Sequence, residues 1–471
     1  MSSTSQIAES TQPLPHVLII GGGFAGLNLA QQLKKAPVRI TLIDRQNHHL
    51  FQPLLYQVAT AGLGAPEISE PIRDILRKQK NVTVLLGEVT KIDPDAQTIT
   101  LEREVIAWDY LYVAAGASHS YFGNDAWAVH APGLKTLDDA MEIRRRMIIA
   151  YERAERTDCE KEREQDLTFV VVGAGATGVE LAGALAEIAR HTMARNFRNF
   201  DPSEAKVLLV EAGPRVLAAY DPKLSESAKK QLEDLGVQVL LDTRVTEITA
   251  NGVRLDDTFV PASTVLWAAG VRSSALGGML GVPLDRAGRV IVEPDLTIPG
   301  YSNISVLGDL ASVKGKQGKP VPGLAPAAMQ MGIYAGKRLK YNLKGKLVEP
   351  FVYNDKGQMA TIGRRRAVAQ TRRLKVSGPI AWLAWAFIHV YFLVGFRNRV
   401  LVLLDWLWAY VTQRRGARIL FGVEAKAAEP RRMHELVETG VVSRAHQRAL
   451  ETHPSSATPL AGSPFAEPLK K

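Results

Sequence analysis

One pattern occurs twice in this chain, and it restricts the fold more than any other feature. HVLIIGGGFAGLNLAQQLKK (His16–Lys35) reads as a short β-rich run, a glycine turn and a helix, and LTFVVVGAGATGVELAGALAEIA (Leu167–Ala189) repeats it. Each copy fits G-x-G-x-x-G between strand and helix: Gly21, Gly23 and Gly26 in the first, Gly173, Gly175 and Gly178 in the second. In such a turn the first glycine makes the bend and the second admits a pyrophosphate to the backbone. The third lets the helix pack on the strand. The helix N-terminus adds unpaired N–H groups and the positive end of a dipole, which suit a phosphate. A further strand follows each unit and ends in an acid, Asp44 in VRITLID and Glu211 in KVLLVEAG. A carboxylate there accepts hydrogen bonds from a ribose diol and repels a 2′-phosphate. At the second unit Glu211 therefore favours NADH over NADPH, although Arg215, four residues later, leaves NADPH open.

The duplication sets the fold class: α/β, with two Rossmann-like dinucleotide-binding domains and a C-terminal amphipathic helical region that anchors to a membrane. The first domain is expected over 14–164 and 292–350, discontinuous because the second, 165–291, is inserted into it. From about residue 350 the composition turns basic and aromatic, and 351–425 reads as the membrane-associating region. A short polar helix and a Pro/Ser-rich end fill 426–471.

GPIAWLAWAFIHVYFLVGFRNRVLVLLDWLWAYV (Gly378–Val411) holds four of the seven tryptophans. A membrane span needs about 20 uninterrupted apolar residues. Ile380–Val394 supplies fifteen before Arg397 and Arg399, and Val400–Val411 supplies twelve with Asp405 among them. Two short helices joined at GFRNR and lying on the lipid surface fit better. Membrane contact is expected at Trp382, Trp385, Trp406 and Trp408, with Arg397 and Arg399 facing lipid phosphates beside arginines 364–366, 372, 373, 414, 415 and 418. The net charge of +10 suits an anionic lipid surface. The basic residues cluster around the aromatic stretch and form no nucleic-acid motif, so no nucleic acid is expected as a partner.

The single cysteine, Cys159, lies in the charged run TDCEKERE. It forms no disulfide within the chain and no CxxC pair, which removes flavin enzymes that work through a redox dithiol. His48 and His49 are adjacent in a loop with no cysteine or acid cluster nearby, a poor metal site, and no metal is expected. The polar N-terminus carries no signal-peptide pattern.

The paired units resemble the two-dinucleotide-binding-domain flavoproteins, in which the N-terminal unit holds FAD and the inserted unit NAD(P)H. VAAGA and WAAGV resemble that family's two returning strands, and VLGD resembles its C-terminal FAD motif. IDRQNHHLFQPLLYQVATAGL (Ile43–Leu63), VPGLAPAAMQMGIYAG (Val321–Gly336) and AWLAWAFIHVYFLVGFRNR (Ala381–Arg399) resemble the type II NADH dehydrogenases, non-pumping NADH:quinone oxidoreductases. The resemblance implies non-covalent FAD, touched by Gly21, Gly23, Phe24, Ala25, Gly26, Asp44, Gln52, Val89, Ala115, Asp309 and Ala328, with Phe51 and Pro53 helping to wall the ring. It implies NADH at Gly173, Gly175, Thr177, Gly178, Glu180, Glu211 and Gly270, with Glu180 near the nicotinamide–flavin contact. It implies a membrane quinone at Ala327 and Gln330, Gln330 being catalytic with Glu180. The family's frequent first glutamine is Pro326 here, which leaves Gln330 as the polar contact. A homodimer on the cytoplasmic face of the inner membrane completes the expectation. The alternative is a soluble NADH-dependent reductase of a ferredoxin or rubredoxin, which leaves the tryptophan-rich stretch without a purpose.

Overall fold

The computed structural model describes residues 13–194, 196–315, 318–412 and 416–420. Its two glycine turns each leave the central strand of a separate sheet. The first sheet runs in the order Thr297–Ile298, Tyr301–Val306, Tyr110–Val113, His16–Ile20, Arg39–Asp44, Val82–Leu86, and all but its Thr297–Ile298 edge is parallel. The second runs Val237–Leu240, Lys206–Val210, Thr168–Val172, Thr264–Trp267, wholly parallel. His16–Ile20 and Thr168–Val172 are buried at every residue, as strands covered by helices on both faces must be.

The repeat holds at the level of single atoms. Gly21 and Gly173 have φ of +105° and +98°, a region that favours glycine. A β-carbon on Gly26 would lie 1.8 Å from the Gly21 carbonyl oxygen, and one on Gly178 would lie 1.8 Å from that of Gly173. Both third glycines therefore allow the helix to return onto its own turn, at Phe24–Gln32 and Ala176–Glu187. The long helix Ala325–Asn342 crosses the first of these so closely that a β-carbon on Gly332 would sit 2.2 Å from the Ala25 carbonyl oxygen.

The helix Leu137–Arg156 starts in a capping box, with the Thr136 hydroxyl accepting from the Asp139 N–H and the Asp139 carboxylate accepting from the Thr136 N–H. Its buried side chains, Ile143, Met147 and Tyr151 among them, share one core with Val58 of the first unit and with Phe169 and Leu266 of the second sheet. The sequence reading ends the first unit at residue 164, but no break in the core falls there. This helix bridges the two units.

Beyond residue 356 the three-stranded sheet Gln358–Gly363, Arg366–Gln370, Lys375–Ser377 lies on the helix Ala176–Glu187. The foot follows as two helices, Pro379–Phe392 and Phe396–Thr412. Their joint is Leu393–Gly395 rather than GFRNR, because Gly395 takes φ of +86° and Phe396 already begins the second helix. Arg397 and Arg399 thus stand in its first turn. No helix among the described residues is long and apolar enough to cross a membrane. Arg414, Arg415 and the expected helix and tail over 426–471 lie outside the described residues.

Candidate active site

A cavity of about 1780 Å³ opens where the two sheets and the foot meet. Single-ligand pockets are roughly 300–1,000 Å³, so this space suits more than one large ligand. The first turn contributes Gly21, Gly23, Phe24 and Ala25, and the second contributes Gly175 and Thr177. A β-carbon on Gly23 or Gly175 would meet nothing within 4 Å, so both middle glycines leave the backbone open to close approach. Asp44, Gln52, Val89, Ala115, Asp309 and Ala328 also stand in the wall, as do Phe51 and Pro53. This cradle fits a flavin dinucleotide along the first unit. Gly26 is beneath the wall, packed on its own turn.

The two strand-end acids do the same local work. Asp44 Oδ2 accepts the Gly22 N–H at 2.5 Å and Oδ1 that of Gln46 at 2.7 Å. Glu211 Oε2 accepts the Ala174 N–H at 2.7 Å and Oε1 that of Gly213 at 2.9 Å. Each carboxylate has lone pairs left for a ribose. Glu211, Gly173, Gly178 and Gly270 stand outside the cavity wall itself. A β-carbon on Gly270 would lie 2.5 Å from the Ser120 carbonyl oxygen, so that glycine serves the crossing of the two units. Arg215 turns to the Ala218 carbonyl at 2.8 Å.

Glu180 reaches the cavity from the first turns of the second helix. Burial pushes its carboxyl up to about 8, opposed by the Thr361 N–H, which donates to Oε1 at 3.4 Å. Near neutral pH it is mainly a neutral acid. It also borders a smaller groove of about 160 Å³ between the foot tryptophans and the second helix.

Two expectations from sequence are corrected here. Gln330 does not reach the cavity: its Nε2 donates to the Asn354 carbonyl at 2.9 Å and its Oε1 accepts the Asn354 N–H at 2.9 Å. Both ends of the amide are used to hold the chain that leads to the C-terminal sheet, and Ala327 is 1% exposed in the core. Pro326, Ala328 and Met329 form the wall instead. Nor do the tryptophans share one face. Trp385 is 2% exposed, stacked on Trp406 at 5.3 Å, and the Trp406 indole donates to Gln57 Oε1 at 2.8 Å. Trp382 is half-buried beside Tyr410. Arg399 Nε donates to the Leu393 carbonyl at 2.8 Å, capping the first foot helix, while Arg397 is exposed.

What the foot does expose is aliphatic and aromatic. Phe387 is 73% exposed and Trp408 64%, in a surface that continues through Ile380, Leu383, Tyr391, Leu404, Leu407 and Val411. The opposite side enters the cavity through Ile388, His389 and Phe392. Sequence reasoning missed these three. The signal was a lone histidine inside an otherwise apolar run.

His49 is buried and its Nδ1 lies 3.0 Å from the Gly22 carbonyl oxygen, with burial lowering its pKa, so it braces the first turn. Cys159 sits at the head of the helix Glu160–Asp166, away from the cavity wall.

Fold and site together define an oxidoreductase of the two-dinucleotide class, with no cysteine pair at its centre. A family model described as pyridine nucleotide-disulphide oxidoreductase matches residues 15–332, and one described as NDH2 C-terminal domain matches 356–415. Type II NADH:quinone oxidoreductase NdhA of Mycobacterium tuberculosis is 48% identical over 418 residues, 85% of this chain and 88% of its own. Type II NADH:quinone oxidoreductase Ndh of the same organism is 45% identical over 453 residues, 93% and 96% of the two chains. NDH2 from Plasmodium falciparum, solved in complex with NADH, has the same fold, with a TM-score of 0.80 at 19% identity over 86% of this chain and 100% of that one. The chain belongs to the type II NADH:quinone oxidoreductases.

Proposed function

We propose that this protein oxidises NADH and reduces a quinone through FAD, at a membrane and without pumping protons. The observation that carries the reading is the single cavity with three walls: the first glycine turn, the second glycine turn with Glu180, and the foot helix with Ile388, His389 and Phe392. A water-soluble reductant and a lipid-soluble oxidant need such a meeting point. FAD, when bound, would supply the two-electron chemistry that links NADH to the quinone.

The residues of the chain bind, orient and exclude water. Gly21, Gly23 and the N-terminus of the helix Phe24–Gln32 would hold the pyrophosphate of FAD, with Asp44 for its ribose and Asp309 at the far side of the cradle. Gly175, Thr177 and the helix Ala176–Glu187 do the same for NADH, with Glu211 at the ribose. Glu180, protonated below about pH 8, offers an O–H donor rather than a negative charge on the nicotinamide side. The division into an FAD unit, 14–164 with 292–350, and an NADH unit, 165–291, follows the two turns, and the helix Leu137–Arg156 ties them together.

The exposed apolar side of the foot rests on an anionic lipid surface on the cytoplasmic face of the membrane, with Trp408 and Arg397 at the interface. A soluble ferredoxin reductase would have no use for that surface.

Anaerobic stopped-flow tests the reading. NADH should bleach the flavin and a short-chain quinone should restore its colour within the turnover time. Reduced enzyme that ignored quinones but reduced an iron–sulfur protein would overturn it.

A further inference from the structure

Of the three foot residues in the cavity wall, His389 alone has a polar side chain. Its Nδ1 lies 2.7 Å from the carbonyl oxygen of Trp385, one turn earlier in the helix. A carbonyl only accepts, so Nδ1 carries the proton and donates, and Nε2 is left as a bare lone pair. The ring is 9% exposed and held on two sides, by Trp385 at 4.4 Å and by Phe51 at 6.2 Å and 82°. Phe51 in turn meets Phe24 of the first glycine turn at 6.0 Å. Burial lowers the imidazole pKa to about 4, opposed by the Trp385 carbonyl, so the lone pair persists at physiological pH. Among the described residues nothing donates to Nε2. Nε2 opens into the cavity, so it takes its donor from whatever fills that space.

We propose that His389 reads the oxidation state of the second substrate: Nε2 accepts a hydrogen bond from a hydroquinone O–H and has nothing to offer a quinone carbonyl. The inference rests on the quinone reading above. A quinone oxygen is an acceptor, and two acceptors facing each other leave both unpaired. Reduction turns that oxygen into a donor. The overall step balances as NADH + H⁺ + quinone → NAD⁺ + hydroquinone, and His389 begins and ends it neutral. Because the hydrogen bond forms only as the oxygen gains its proton, it favours the late part of the reaction over the bound quinone.

Two redox-inert probes isolate this effect in the full-length, flavin-loaded enzyme. 1-Naphthol carries the ring and an O–H donor, whereas 1-methoxynaphthalene carries the ring alone. Their dissociation constants, followed by quenching of tryptophan fluorescence, should differ about ten-fold in favour of 1-naphthol, the effect of one buried hydrogen bond. His389→Phe, which keeps an aromatic ring, should bring the ratio near one. His389→Gln, which restores an acceptor, should recover most of it. A wild-type ratio near one, or a preference that survives in His389→Phe, overturns the inference, and the wild-type ratio decides even where the Phe variant loses flavin. Menadione reduction by the wild type separates the two readings. If menadione is not reduced, the quinone reading falls and takes this one with it. If it is reduced but the probes bind alike, only the role of His389 falls.

Discussion

A β-carbon added to Gly183 would lie 1.7 Å from the carbonyl oxygen of Ile362. Gly183 is on the helix of the second glycine turn and Ile362 is in the first strand of the C-terminal sheet, so the nucleotide unit and the base of the foot touch backbone to side-chain-free backbone. Two acids of the same helix complete the seam: Glu180 accepts the Thr361 N–H at 3.4 Å and Glu187 that of Arg364 at 2.5 Å.

Gly183→Ala should therefore push the C-terminal sheet off its helix. Overpacking of this kind costs about 1–3 kcal/mol. Thermal unfolding of the flavin-loaded protein should drop by several degrees, and limited proteolysis should release the segment after residue 356 earlier than in the wild type. A variant as stable as the parent would mean that the seam is looser than the structure has it.

Glu180 gives the protein a pH signature. Its ordinary pKa is 4.5 and its folded value is about 8, raised by burial. Below the lower value both folded and unfolded chains hold the proton, and Glu180 costs nothing. Between the two values the unfolded chain releases it while the folded chain keeps it, so stability falls as pH rises, then levels above the upper value. Glu180→Gln removes this slope. Urea unfolding of both proteins should show the variant gaining on the wild type from pH 4.5 to pH 8. A constant difference across that window would contradict the burial.

The two third glycines allow the two ligand sites to be broken separately. A β-carbon on either would lie 1.8 Å from a carbonyl oxygen of its own turn. Gly26→Ala should yield protein that purifies with little flavin. Gly178→Ala should keep its flavin but need at least ten-fold more NADH for half-maximal flavin reduction. Loss of flavin from both variants would show that the turns are not independent.

On the foot, burial separates structural tryptophans from lipid-facing side chains. Phe387→Glu combined with Leu407→Glu alters two residues 73% and 60% exposed. A fully buried side chain of this size contributes about 1.5–3 kcal/mol, so sedimentation with anionic liposomes should weaken ten-fold or more while the melting temperature holds. Trp385→Ala should do the opposite, costing about 3–5 kcal/mol of stability and leaving vesicle binding of the folded protein intact.

The local parts of the site were legible because their physics is local. Gly26 and Gly178 answer steric demands within their own turns, and Gly21 and Gly173 hold a positive φ, so the spacing alone announced two dinucleotide turns. Asp44 and Glu211 end strands whose parallel pairing places them beside those turns. The length of the apolar run and its arginine break excluded a span without reference to any other part of the chain.

Only the tertiary structure decided which way side chains on a correctly read helix point. Gln330 was read as a substrate contact, yet its amide is matched to the backbone of Asn354, 24 residues on. Trp385 and Trp408 look alike in sequence, but one is 2% exposed and the other 64%, because the second foot helix folds back over the first at Gly395. His389 lay in plain view as a polar residue in an apolar run. That it faces the cavity depends on how the foot packs against Phe51, more than three hundred residues earlier in the chain. Local sequence sets backbone conformation, while the face a helix presents is fixed by partners distant in the chain, and no spacing rule encodes those.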